Sequence, residues 1–217
     1  MKNEIEKLKK KLLSLCAQVQ EQLWQAVKSI KERDYDLARQ VVDHDSMIDQ
    51  DEVDIEEECL KILALYQPVA IDLRFIVTAL KINNDLERIA DLSVNIAERS
   101  EFLANHDPVN VPFDFETTAE KAQTMLQKSI DALVNIDCAQ AYEVCEMDDE
   151  VDAINRQMYE LVKQSILKQP QHIESLIHLL SVSRHLERIG DHATNIAEDV
   201  IYMAEGRIVR HKTEEYL

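Results

Sequence analysis

Two glycines, Gly190 and Gly206, are all that this 217-residue chain contains, where average usage gives roughly fifteen. That shortage constrains the fold more than any other feature. A glycine-rich phosphate loop, a dinucleotide fingerprint and a nucleophile elbow each need glycines at close spacing, so none can be written here. Tight two-residue hairpins need residues at positive φ, which argues against an all-β fold. The 46% hydrophobic content is nonetheless enough to bury a core.

Apolar residues recur with a helical period nearly everywhere. Ile5, Leu8, Leu12, Leu15 and Val19 step by three and four, the stripe of one buried helix face. Asp34 reads as an N-cap opening a second helix that runs to about Tyr66, where Gln67-Pro68 breaks it. A third runs to about Asn105. The stretch HDPVNVPF (106–113) holds two of the four prolines and reads as a linker. A fourth helix starts near Asp114, Asp137 caps a fifth, Gln169-Pro170 ends it, and a sixth closes at Gly206.

The two halves repeat each other. Displacement by 100 residues lays LERIADLSVNIAE (86–98) on LERIGDHATNIAE (186–198), identical at nine of thirteen positions; about one match is expected by chance for unrelated helices. Displacement by 103 lays Asp34, Ala38, Val41, Asp45 and Asp49 on Asp137, Ala141, Val144, Asp148 and Asp152. The expected fold is all-α: two tandem three-helix bundles related by internal duplication, 1–105 and 114–206, with a tail over 207–217.

Composition narrows the function. Forty-two acidic against twenty-four basic residues leave a formal charge of −18, which excludes a nucleic-acid surface and disfavours unaided adsorption to an anionic membrane. Cations or basic protein patches are the natural partners. The amino-terminal residues lack an apolar signal core, and no apolar run is long enough to span a bilayer. Cys16, Cys59, Cys138 and Cys145 show no CxxC pairing and read as reduced thiols in a cytoplasmic protein.

The repeated chemistry is acidic. Asp45/Asp49, Glu87/Asp91, Asp148/Asp152 and Glu187/Asp191 are i, i+4 pairs, each aiming two carboxylates from one helix face. Like charges so placed cost about 0.2–0.5 kcal/mol per pair. Asp49 lies 18 residues before Gln67 and Glu87 lies 20 after it, so a hairpin closed at Gln67-Pro68 brings both pairs to one height. In the second half Asp152 and Glu187 lie 17 and 18 residues either side of Gln169. Each half can gather four carboxylates, a donor set for Mg²⁺, Ca²⁺ or Mn²⁺, or for iron or zinc bridged by carboxylates. Asn95, Asn195, Glu98 and Glu198 continue along roughly the same face. Alternatively the acids pair with Arg88, Arg188 and nearby lysines on a solvated face. His178, His185 and His192 fall roughly 140–180° around the helix from Glu187, so they read as edge-of-core or interface residues. No Glu-x-x-His occurs, and the ferritin-like di-iron pattern is absent.

These residues carry a resemblance. The doubled LERIAD/LERIGD signature, the QPVAIDLR segment (67–74) and the acidic pairs closely resemble the PhoU family of phosphate-transport regulatory proteins, over essentially the whole chain. The resemblance implies paired three-helix bundles, usually in a homodimer. It also implies metal clusters (Mg, Mn, Fe or Zn) at Asp45, Asp49, Glu87, Asp91, Asp148, Asp152, Glu187 and Asp191. The second half lacks the VAIDLR continuation after Pro170, which leaves its ligands and occupancy open. Family members are cytoplasmic, non-enzymatic couplers between a phosphate ABC transporter, through its ATPase subunit, and a phosphate-sensing histidine kinase. They restrain uptake and the starvation response when phosphate is plentiful, and they meet the membrane only through partners. The alternatives are a metal-dependent phosphoester hydrolase, which lacks a recognisable nucleophile or phosphate loop, and a metal-storage helical protein.

Overall fold

A computed structural model describes residues 1–109 and 115–209. The helices are α1 (Lys2–Glu32), α2 (Tyr35–Tyr66), α3 (Ala70–Ala104), α4 (Phe115–Asn135), α5 (Cys138–Lys168) and α6 (Ile173–Glu205), with a single 3₁₀ turn at Pro170–His172. There is no strand among the described residues. The start expected near Asp114, the centre of the linker and the end of the tail lie outside the described residues.

Local chemistry explains the boundaries. Asp34 accepts a hydrogen bond from the Leu37 amide at 3.0 Å, and Asp137 does the same for Gln140 at 3.2 Å. Each caps its helix by satisfying an amide that has no intrahelical partner. The residue before each cap, Arg33 or Ile136, turns left-handed at φ 54°, so the duplicated turns are alike in backbone. The hairpin tips are not. Gln67 closes α2 at φ 44°, whereas Gln169 is extended at φ −136° and leads into the 3₁₀ turn. That difference falls where the second half departs from the QPVAIDLR sequence. Gly206 ends α6 at φ 72°, a conformation in which a side chain would be strained.

Each half is a three-helix bundle, α1–α3 and α4–α6, and the halves pack chiefly through α3 against α6. Lys81 meets Asp199, Asp85 meets Asn195 and Phe102 meets His178, so these two helices run antiparallel. The repeats are therefore related by an approximate twofold across this contact. One continuous core runs through both halves and includes the Ile5-to-Val19 stripe, apart from Ile5 at its edge.

The α3–α6 seam is polar in places. Asp199 is almost fully buried and takes the Lys81 ammonium at 3.0 Å. Lys81 also lies 5.2 Å from the centre of the Tyr202 ring. His192 Nδ1 is 2.8 Å from Asp85 Oδ1. His178 stacks on Phe102 at 3.8 Å between centroids, and burial with the nearby guanidinium groups of Arg99, Arg188 and Arg184 pushes His185 down to about 4. The three histidines thus stand at the seam between halves.

Candidate functional site

The acidic pairs of each half face one another across a hairpin. In the first half, α2 carries Asp45 and Asp49 while α3 carries Glu87 and Asp91. Burial raises the Asp45 carboxyl above its ordinary range, and the charges of Asp49 and Asp91 raise it further. Glu87 is raised by burial, then by Asp91, Glu52 and Asp49. These mutual effects show that the four acids share one electrostatic neighbourhood, as the matched heights predict.

The second half repeats the arrangement on α5 and α6. Asp148 is raised by burial and by Asp152, and Glu187 by burial, Asp152 and Asp148. Asp191 is affected most. Burial, then Asp148, Glu187 and Asp152, push it up to about 6.

The halves differ in how they offset this repulsion. Gln22 of α1, itself buried, donates to Asp45 at 3.2 Å. Its equivalent in α4 is Met125, whose Sδ and Cε lie 3.5 Å from where a Cβ on Gly190 would stand. Asp148 instead accepts from the Thr194 hydroxyl at 3.4 Å. Arg88 reaches both Glu87 and Asp91 at 3.3 Å, so part of the first cluster is paired with a cation as the surface-face alternative anticipates. In the second cluster Arg156 approaches Asp152 at 3.7 Å. These exposed pairs are worth little energetically.

Four contributing residues escape the pairwise sequence pattern: Glu52, Gln22, Asn155 and Thr194. Glu52 accepts from Asn83 at 3.0 Å through its side chain and lies in the field of Asp49. Its equivalent Asn155 accepts from Ser183 at 3.1 Å and helps hold Glu187. A signal existed, because Glu52 and Asn155 follow Asp49 and Asp152 by three residues and so share their helix face. The asparagines expected to extend the clusters do not. Asn195 turns across the seam to Asp85 at 3.3 Å, and Asn95 donates to its own helix at Asp91 O, 2.7 Å away. Antiparallel packing of α3 on α6 draws Asn195 away from the hairpin face.

The donor set is all oxygen, partly buried except at the exposed Asp49 and Asp191, which suits a hard or borderline cation. Among the described residues, no three His, Cys, Asp or Glu side chains already stand together as a coordination sphere. A cation at either cluster would therefore need its carboxylates to rearrange. Burial pushes the Cys16, Cys59 and Cys145 thiols up to about 12, so these three carry little reactive thiolate at neutral pH. No helix among the described residues is long and apolar enough to cross a membrane.

The PhoU domain family matches residues 12–100 and again residues 115–200, one match on each three-helix bundle. The chain belongs to the PhoU family. A phosphate-specific transport system accessory protein PhoU homolog of Aquifex aeolicus is 38% identical over 209 residues, covering 96% of this chain and 95% of that relative. The crystal structure of PhoU from Pseudomonas aeruginosa superposes with a TM-score of 0.91 at 34% identity, over 95% of this chain and 99% of that one. The phosphate transport system regulatory protein PhoU from Streptococcus pneumoniae gives 0.83 at 26% identity, over 96% and 98%. Both PhoU matches fall on the helices that carry the carboxylates, so the paired clusters sit inside the family's repeated unit.

Proposed function

We propose that this chain regulates phosphate transport as a non-enzymatic adaptor on the cytoplasmic side. It couples the ATPase subunit of a phosphate ABC transporter to a phosphate-sensing histidine kinase and restrains uptake and the starvation response when phosphate is abundant. The observation that carries this reading is similarity along nearly the whole of both chains to a phosphate-specific transport system accessory protein. The architecture supports it. Two rigid bundles sharing one core form a body that displays acidic helix faces, and such faces suit basic patches on partners. Homodimerisation would double that display.

Asp45, Asp49, Glu87 and Asp91 in one half, and Asp148, Asp152, Glu187 and Asp191 in the other, would hold the metal ions. A bound divalent or trivalent cation supplies positive charge that cancels the carboxylate repulsion and can bridge to an anionic group. The chain's own part is positional: Gln22 orients Asp45, Thr194 orients Asp148, and Asn155 holds Glu187.

The test is complementation of a bacterium that lacks its own PhoU protein. The chain should restore repression of a phosphate-starvation reporter in phosphate-replete medium. Full reporter activity despite normal expression of the chain would overturn the regulatory reading. Metal-dependent turnover of phosphoesters, assayed with Mn²⁺ or Mg²⁺, would replace the adaptor by the hydrolase alternative.

A further inference from the structure

One end of the molecule combines exposed apolar side chains with a run of exposed lysines. There the first turns of α1 stand beside the α2–α3 tip, and Ile5 and Lys9 meet Ile71 and Phe75 in an apolar groove of about 410 Å³. Ile71 in the groove wall is 65% exposed, and beyond the groove Leu65 and Val69 are 66% and 73% exposed, with Leu60 and Tyr66 open as well. A contiguous set of large apolar side chains held in water at a tip marks a contact surface.

Charge identifies the contact. Lys2, Lys7, Lys9, Lys10 and Lys11 are all exposed on the first three turns of α1. Residues 1–11, 56–77, 131–138 and 203–208, the segments around this groove, together hold eight basic and nine acidic side chains, a net −1, so the rest of the chain carries −17 of the total −18. Nearly all of the net acidity from which the sequence disfavours membrane adsorption therefore belongs to the body. The carboxylate cluster begins at Asp49, 18 residues back from Gln67, or about 27 Å along the helix. Salt screens charges over roughly 8 Å under physiological conditions, so a surface touching the tip scarcely feels that cluster.

We propose that this end seats on an anionic lipid surface, with Leu65, Val69 and Ile71 entering the headgroup boundary and the α1 lysines meeting lipid phosphates. Apolar side chains flanked by lysines are the combination that interfacial anchoring uses. A protein helix lying in the groove is the competing occupant, and it accounts for less: Leu65 and Val69 do not line the groove and would stay in water.

The test is co-sedimentation of the full chain with vesicles of phosphatidylglycerol and phosphatidylcholine, against vesicles of phosphatidylcholine alone. Binding should be about tenfold stronger to the anionic vesicles and should weaken as salt rises. The double substitution Val69→Ser/Ile71→Ser should reduce anionic binding about tenfold. Lys9→Glu/Lys10→Glu should remove most of its salt dependence. Leu167→Ser, at the opposite tip, should change nothing, and circular dichroism should show every variant as helical as the parent. No binding to anionic vesicles, binding indifferent to Val69→Ser/Ile71→Ser, or equal loss with Leu167→Ser would each overturn the proposal. A helix in the groove as sole occupant would show as the first of these.

Discussion

Asp191 shows how far a single carboxyl is moved by its setting. Its neighbours and partial burial raise it from an ordinary 3.8 to about 6, while Asp91 at the equivalent position has Arg88 beside it. A carboxyl raised in the folded state binds its proton more tightly there than in the unfolded chain. Its contribution to stability is fully present below about 3.8 and is lost as pH rises through about 6. Asp191→Asn should therefore stabilise the chelator-treated protein at pH 7.5. Because water reaches Asp191 and screens it, the gain should be about 1 kcal/mol, or about 2–4 °C in melting temperature for a chain of this size. The same substitution should have no such effect at pH 4. Thermal melts of both proteins across that range measure it; an equal shift at both pH values would show that Asp191 acts through packing instead.

Among the elements, α6 carries the one glycine in a helix interior. Gly190 aligns with Ala90 of α3, and an added Cβ would meet Met125 at 3.5 Å and Val151 at 3.7 Å, ordinary van der Waals distances. Gly190→Ala should stabilise the protein by about 1 kcal/mol, through helix propensity and a less flexible unfolded chain. Denaturant unfolding should show a higher midpoint with unchanged slope, and destabilisation would mean that α4 and α5 cannot yield even tenths of an ångström. The helices themselves were legible from sequence because their signals are local. The Ile5-to-Val19 stripe, the caps at Asp34 and Asp137 and the breaks at Gln67 and Gln169 lie close to what they control. The matched carboxylate heights were legible too, since a short turn fixes the register of a hairpin. The α3–α6 seam was not. Whether Asn195 faces Asp148 or Asp85 depends on how far α6 is rotated by packing in the other half, and no spacing within α6 encodes that rotation. Gln22 escaped notice for a related reason: it reaches Asp45 from a third helix.

At the scale of the molecule, duplication has produced two carboxylate clusters that are alike in position and unlike in compensation. Gln22 and Arg88 serve the first cluster. The second has Met125 in place of the glutamine and an acid raised to about 6. A cation must displace whatever protons the clusters hold, so its apparent affinity should rise with pH, most steeply near pH 6 and chiefly because of the second cluster. Titration of chelator-treated protein with Mn²⁺ by calorimetry, in buffers of different ionisation enthalpy, should show more protons released per ion at pH 6 than at pH 7.5. Asp191→Asn should remove most of that difference. Glu87→Ala/Asp91→Ala should instead remove the metal of the first cluster and leave the proton release of the second intact, with helicity preserved. The two clusters would then titrate as separate sites despite sharing one core. Proton release that vanished with Glu87→Ala/Asp91→Ala would make the two clusters one coupled site, and metal content unchanged by it in elemental analysis would take Glu87 and Asp91 out of the ligand set.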